Sequence, residues 1–258
     1  MSDIKKYIET ENSKGKEVLS VFLTSGFPDP KNFTELALKV LDAGADMLEI
    51  GFPFSDPLAD GPVIQHSSNI ALKNGINLHK TFRYAEQIKK GTEKPIILMG
   101  YANPVISYGR KEFTISCNNT GVDGIIIPDV PIEEYENFFN TDFNGIDKVL
   151  LISPTTSDER VKLIDEKSEG FVYCVSVSGT TGNEKAQKDI EFIKRSYSSI
   201  RKNKMLVGFG ISSADDVKKY SPFCDGIIVG SAVIKSLTED DKNLNKTLSL
   251  IKELKGAT

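Results

Sequence analysis

AGADMLEIG, residues 43–51, carries a compact pattern: small residues, then Asp46, then the short apolar run from Met47 to Gly51. The same order returns in TGVDGIIIP (120–128) and FCDGIIVGS (223–231). Turns that lead from a helix into a strand favour Gly and Asp in many folds, so the echo bears on architecture and not on chemistry. The rest of the chain supplies further short β-branched runs. Together they are LSVFLT (19–24), MLEIG (47–51), IILMG (96–100), GIIIP (124–128), KVLLI (148–152), FVYCV (171–175), MLVGF (205–209) and GIIVG (226–230), with helix-length stretches between them. Strands that are apolar on both faces and alternate with helices form parallel βαβ units, not hairpins. Eight such units in 258 residues predict an α/β fold, the (βα)8 TIM barrel, for which roughly 250 residues is usual. An open doubly wound sheet is the competing arrangement, but no GxGxxG follows the first strand.

Both ends of the chain fit a barrel. Leu244, Leu248, Ile251 and Leu254 fall at helical spacing and predict a helix that closes the outer ring. Residues 2–12 predict an extra N-terminal helix with no strand to follow, suited to covering the barrel floor. No linker or low-complexity tract interrupts residues 1–258, so a single barrel domain is expected.

Composition removes several classes of function. The formal net charge is -4, which leaves no electrostatic footprint for nucleic acid or for an anionic membrane surface. The first residues, MSDIKKYIETENSKGK, lack the apolar core of a signal peptide, and no apolar run approaches a bilayer span. Cys117, Cys174 and Cys224 are odd in number and far apart, which suggests neither a disulfide framework nor a zinc pair. A cytoplasmic location is expected. His66 and His79 are the only histidines, without clustered acids or cysteines, and are expected on helix surfaces with no metal bound.

Chemistry is expected around the second strand. Alternation puts Met47, Glu49 and Gly51 on one face, so Glu49 points where a core residue belongs. Burial disfavours a charged carboxylate and raises its pKa towards working pH, which suits a group that gives and takes a proton. A boundary glutamate paired with a lysine would look the same in sequence, but the C-terminal end of a barrel strand is where catalytic groups collect. The following loop, GFPFSDPLAD, holds Pro53, Pro57, Asp56 and Asp60. Asp56 before Pro57 is also a turn former, and Asp60 before Gly61 and Pro62 also suits the start of a helix. Beside Glu49, however, Asp60 completes a pair of carboxylates able to flank one substrate.

Later loops suit an anion. Gly208-Phe209-Gly210-Ile211-Ser212 follows the seventh strand, and Gly230-Ser231 follows the eighth and opens AVIK. Loops at these two places, with the N-terminus of a short helix, form the usual phosphate cradle of this fold, without any required Lys or Arg. Tight turns alone would also use these glycines. VSVSGTTGNEK after the sixth strand, rich in small polar residues, suits a lid. Phe22, Met99, Tyr101, Ile152, Tyr173 and Phe209 fall at strand ends, where barrel filling is their ordinary duty and an aromatic substrate would also fit.

Taken in order, LEIGFPFSDPLADGPVIQ, MGYANPV, GIIIPDVP, SGTTG, GFGISS and VGSAVIK make the chain resemble the tryptophan synthase alpha-subunit family over essentially its whole length. The resemblance implies retro-aldol cleavage of indole-3-glycerol phosphate to indole and glyceraldehyde 3-phosphate, with no metal and no organic cofactor. It implies that Glu49 protonates the indole C3 and then deprotonates the glycerol hydroxyl, while Asp60 accepts a hydrogen bond from the indole N–H. Matched residue by residue, Phe22, Met99, Tyr101, Ile126, Ile152, Tyr173 and Phe209 resemble the indole pocket. Gly182, Gly210, Gly230 and Ser231 resemble the phosphate contacts, and Thr181 the lid residue that closes against the aspartate. Thr180 and Val177 depart from the residues common there, which bears on closure and not on the reaction. The resemblance also implies a pyridoxal-phosphate beta subunit that receives indole in an alpha2beta2 heterotetramer, with Asp56, Pro57, Asn103 and Asp129 on the docking surface. A free-standing lyase, a barrel that only activates a partner, and a sugar-phosphate isomerase or epimerase are the other readings. The retained acids oppose the second, and the scarcity of histidines opposes a metal-dependent epimerase.

Overall fold

A computed structural model describes residues 3–139, 141–176, 183–240 and 243–258, the side chains of 141 and 183–189 excepted. The expected runs become parallel strands within one or two residues of their predicted ends: β1 (Val18–Thr24), β2 (Met47–Gly51), β3 (Ile96–Met99), β4 (Gly124–Ile126), β5 (Asp147–Ile152), β6 (Phe171–Val175), β7 (Lys204–Gly208) and β8 (Gly226–Val229). They hydrogen-bond in chain order, and β8 returns to β1, so the sheet is a closed barrel and not the open alternative. Every residue of β1, β2, β3, β4 and β8 is buried, as near-continuous apolar runs require when a ring of helices covers the outer face.

The ring is less regular than eight equal units. The helices are α1 (Asp3–Asn12), α2 (Phe33–Asp42), α3 (Pro62–Lys73), α4 (Leu78–Lys89), α5 (Ala102–Tyr108), α6 (Arg110–Thr120), α7 (Tyr135–Phe138), α8 (Asp158–Lys167), α9 (Asn183–Ser199), α10 (Ala214–Tyr220), α11 (Ser231–Glu239) and α12 (Asn245–Lys255). β2, β3 and β8 are each followed by two helices, whereas β4 is followed by short 3₁₀ turns around the single turn of α7. In the closing helix α12, Ile251 and Leu254 are buried as their spacing predicts. Leu244 is a partial correction: it stands just before the helix, at its N-cap with a left-handed φ of 60°, and still packs against the core as Leu248 does.

The recurring Asp before a strand has a structural task that its turn propensity does not reveal. Asp46 Oδ2 accepts the N–H of Leu19 at 2.7 Å, Asp123 Oδ2 that of Ile96 at 2.8 Å, and Asp225 Oδ2 that of Met205 at 2.9 Å. Each acid precedes an even-numbered strand and ties down the start of the strand before it. Each also meets a lysine, Lys255, Lys89 and Lys204 respectively. Two residues before β6 the longer Glu169 takes a similar part, accepting the N–H of Lys148 of β5 at 3.4 Å and pairing with its Nζ at 2.7 Å. A hydrogen bond to a charged acceptor contributes about 1.5–3 kcal/mol, so these clamps stabilise the floor of the barrel.

α1 covers that floor. Ile4 and Ile8 are fully buried, and a Cβ on Gly124, at the start of β4, would approach Ile4 Cδ1 to 2.7 Å. The opposite end, where the strands finish, is left open for chemistry.

Candidate active site

A cavity of about 320 Å³ opens at the C-terminal ends of the strands. Its wall contains Glu49 from β2, Asp60 from the loop before α3, Phe22 from β1 and Tyr173 from β6, with Gly230 and Ser231 at the start of α11. Local sequence explains this crowding. A Cβ on Gly51 would lie 2.3 Å from the Phe22 ring, and one on Gly208 would lie 2.4 Å from the Tyr173 hydroxyl oxygen. Glycine at the ends of β2 and β7 therefore makes room for the aromatic rings of neighbouring strands.

Glu49 is fully buried, as its place in an apolar strand predicts. Its Oε1 accepts a hydrogen bond from the Ser20 hydroxyl at 2.7 Å, and its Oε2 has no partner among the described residues. Among the described residues no lysine pairs with it, which argues against the boundary ion-pair alternative. Burial pushes its carboxyl up to about 7, against the Ser20 hydrogen bond, which favours the charged form.

Asp60 is half-buried on the wall of the same cavity. Its loop is held in place: the Asp60 N–H donates to Pro57 O at 3.1 Å, and the Ala59 N–H donates to the Tyr101 hydroxyl at 3.1 Å. Gln65 of α3 donates to Asp60 O at 2.8 Å. Burial pushes the Asp60 carboxyl up to about 6, and a hydrogen bond from Tyr101 opposes that rise. The two acids therefore titrate in neighbouring pH ranges beside one cavity.

Of the expected aromatic-pocket residues, Phe22, Met99, Tyr173 and Phe209 line the cavity. Tyr101 does not; it lies on a small adjoining cavity behind Asp60, where its hydroxyl orients that carboxyl. Ile126 and Ile152 are also off the wall, at 0% and 1% exposure. Both belong to the barrel core, whereas Ile228, at the same stage of β8, is on the wall.

Gly210, Gly230 and Ser231 lie together on the cavity wall, as a phosphate cradle requires. Phe209 and Gly210 both have φ of 73°, a left-handed turn that a non-glycine residue adopts at a cost of about 1–3 kcal/mol. Ser176, at the end of β6, holds it by donating to the carbonyls of Gly208 at 3.1 Å and Phe209 at 2.5 Å. Gly182, Thr181, Thr180 and Val177 lie outside the described residues.

Lys235 also lines the cavity, although no basic residue was required from sequence. The signal was its position: four residues after Ser231, one helical turn on, it shares that residue's face of α11. Val63, Ile64 and Ile211 are further apolar wall residues, read in sequence only as helix or loop. Asp56 and Asn103 are exposed and Pro57 is partly exposed. Asp129 is exposed too, but both its carboxylate oxygens accept the Ala102 N–H, so it caps the start of α5. His66 and His79 are exposed on α3 and α4, and among the described residues no three His, Cys, Asp or Glu side chains gather as metal ligands. No described helix is long and apolar enough to cross a membrane.

Known proteins resemble this arrangement throughout. The sequence model of the tryptophan synthase alpha chain matches residues 8–258. The alpha chain of Petrotoga mobilis is 42% identical over 247 residues, covering 94% of this chain and 95% of its own. That of Phocaeicola vulgatus is 40% identical over 248 residues, with 94% and 95% covered. The crystal structure of tryptophan synthase subunit alpha from Legionella pneumophila superposes with a TM-score of 0.89 at 33% identity, covering 100% of this chain and 98% of that one. A closed barrel with two carboxylates at its mouth, matched along nearly its whole length by these relatives, belongs to the tryptophan synthase alpha chain family, a lyase family of tryptophan biosynthesis.

Proposed function

We propose that the cavity cleaves indole-3-glycerol phosphate to indole and glyceraldehyde 3-phosphate. The observation that carries this reading is Glu49: a buried carboxyl with one oxygen unpartnered among the described residues, on the wall of a cavity that Asp60 also lines. Phe22, Met99 and Tyr173 suit the flat indole ring. Gly210, Gly230 and Ser231 suit the phosphate, which would meet the N–H groups and the positive end of α11, with Lys235 adding a cation.

In the proposed reaction Glu49 begins protonated and Asp60 ionised. Glu49 transfers its proton to C3 of the indole, and positive charge develops at the ring nitrogen. Asp60 accepts the hydrogen bond from that N–H and stabilises the charge. The Glu49 carboxylate then removes the proton from the hydroxyl on the carbon attached to C3. That oxygen's electron pair becomes the aldehyde C=O, the carbon–carbon bond breaks, and its electrons restore the indole. Glu49 ends protonated again, so no net proton is consumed. The raised pKa of Glu49 suits a group that must exist in both forms, as acid–base groups near working pH do.

Transfer of the indole to a beta subunit is part of the proposal. Asp56, Pro57 and Asn103 supply the docking surface, with Leu58, 91% exposed, and Ile106, 57% exposed, as its apolar contacts. Asp129 would act there through its cap on α5. The test is indole release from indole-3-glycerol phosphate, measured with and without a tryptophan synthase beta subunit. Release by the chain, accelerated by the partner, is expected; release with no acceleration would indicate a free-standing lyase. Absence of indole under both conditions, or normal release by Asp60→Asn, would overturn the assignment.

A further inference from the structure

β1 reads VLSVFLT, and Ser20 is a fully buried hydroxyl in the middle of it. A buried hydroxyl is costly in an apolar strand unless it is hydrogen-bonded, and this one donates to Glu49 Oε1 at 2.7 Å. The register explains the direction of that bond. Phe22 is level with Glu49 across the β1–β2 pair, and Ser20 is two residues earlier on the same face, one layer nearer the floor. Ser20 therefore holds the carboxyl from below. The other oxygen, Oε2, has no partner among the described residues, and Glu49 lines the cavity above.

We propose that Ser20 is a positioning residue that ties Oε1 of Glu49, so that Oε2 is the single oxygen through which Glu49 gives and takes its proton. This inference rests on the acid–base reading of Glu49 given above. The chemistry is that of a carboxylic acid: its carbonyl oxygen is the better acceptor, and its hydroxyl oxygen carries the proton. A hydrogen bond into Oε1 makes it the carbonyl oxygen and puts the proton on Oε2. After transfer, the same bond keeps Oε2 directed at the substrate to accept the glycerol hydroxyl proton. Without it, the proton resides on either oxygen and the carboxyl is free to rotate out of line, and misplacement of that kind slows a reaction without weakening ground-state binding. The bond also favours the ionised form and opposes the burial that raises the Glu49 pKa. The other ionisable groups on the same cavity wall are Asp60 from the loop before α3, Tyr173 from β6 and Lys235 from α11.

The test compares Ser20→Ala, Ser20→Thr and Ser20→Val. Thr and Val have nearly the same shape and differ in the hydroxyl, so the pair separates the hydrogen bond from packing. Ser20→Ala and Ser20→Val are expected to lower kcat by roughly 3- to 30-fold with KM within about twofold. Their Glu49 titration, followed by carboxyl carbon NMR, should move to higher pH, and the Asp60 titration should stay in place. Ser20→Thr should restore both kcat and the titration. Wild-type kcat in Ser20→Ala with an unmoved Glu49 titration would overturn the proposal, as would equal impairment of the Thr and Val variants. The titration needs no turnover, so it reads the Ser20 bond even if the acid–base reading fails; that failure would appear separately as normal indole release by Glu49→Gln.

Discussion

Glu49→Gln is expected to make the protein more stable as it destroys the reaction. The amide keeps the shape of the side chain and still accepts the Ser20 hydrogen bond through its oxygen, but it removes the buried charge. The Glu49 carboxyl has a pKa near 4.5 when exposed and about 7 in the fold, where burial is the dominant cause. Because the folded state binds this proton more tightly, the associated stability is present below about pH 4.5 and is lost as pH rises towards and through 7. A difference of this size corresponds to about 3 kcal/mol, with about 2.5 kcal/mol of it developing between pH 5 and pH 8. The variant has no such loss. Its stability relative to wild type should therefore rise with pH across that interval, while other titrating groups cancel in the difference. Urea unfolding at pH 5, 6, 7 and 8, followed by circular dichroism, measures it. Indole release by the same variant should fall by about 10²- to 10⁴-fold, the range for a lost acid–base group. A stability difference that is flat with pH would refute a buried, strained carboxyl, and one that declines would reverse its sign.

The pH profile of kcat/KM should be a narrow bell, because the reaction needs Asp60 ionised, above about 6, and Glu49 protonated, below about 7. A fall of about 20-fold is expected by pH 8.5, relative to the maximum, and a profile flat from pH 5 to pH 9 would separate these groups from the chemistry. Gly230→Asp sets a charge against the expected phosphate, and its Cβ would stand 3.3 Å from Phe22 Cβ. KM should rise by about tenfold or more, and competitive inhibition by inorganic phosphate should weaken; an unchanged KM would remove Gly230 from the phosphate site.

Glu49 and Asp60 were legible as candidates because each breaks a local expectation: an acid in an apolar strand, and an acid at the end of a proline-rich loop. The cradle glycines were legible through their places after the seventh and eighth strands. Ser20 was not. A serine inside LSVFLT carries no signal until the register sets it beside Glu49, 29 positions away along the chain. The place of Tyr101 was not legible for a similar reason: a strand-end aromatic suits a ring pocket, but the direction of its hydroxyl depends on the loop that carries Asp60. Ile126 and Ile152 show the limit of assigning a wall from strand ends, since Ile228 lines the cavity and these two isoleucines pack in the core.

By itself the sequence determined the architecture and singled out the two acids, because continuous apolar runs, helix spacing and turn chemistry are local properties written residue by residue. Only the tertiary structure decided which oxygen of Glu49 is tied and which is free, that the repeated Asp46, Asp123 and Asp225 clamp the preceding strands, and that Lys235 reaches the cavity. These depend on the register of parallel strands and on the closure of the barrel. Both bring together residues that no local pattern connects, and burial then shifts the pKa of the groups that meet there.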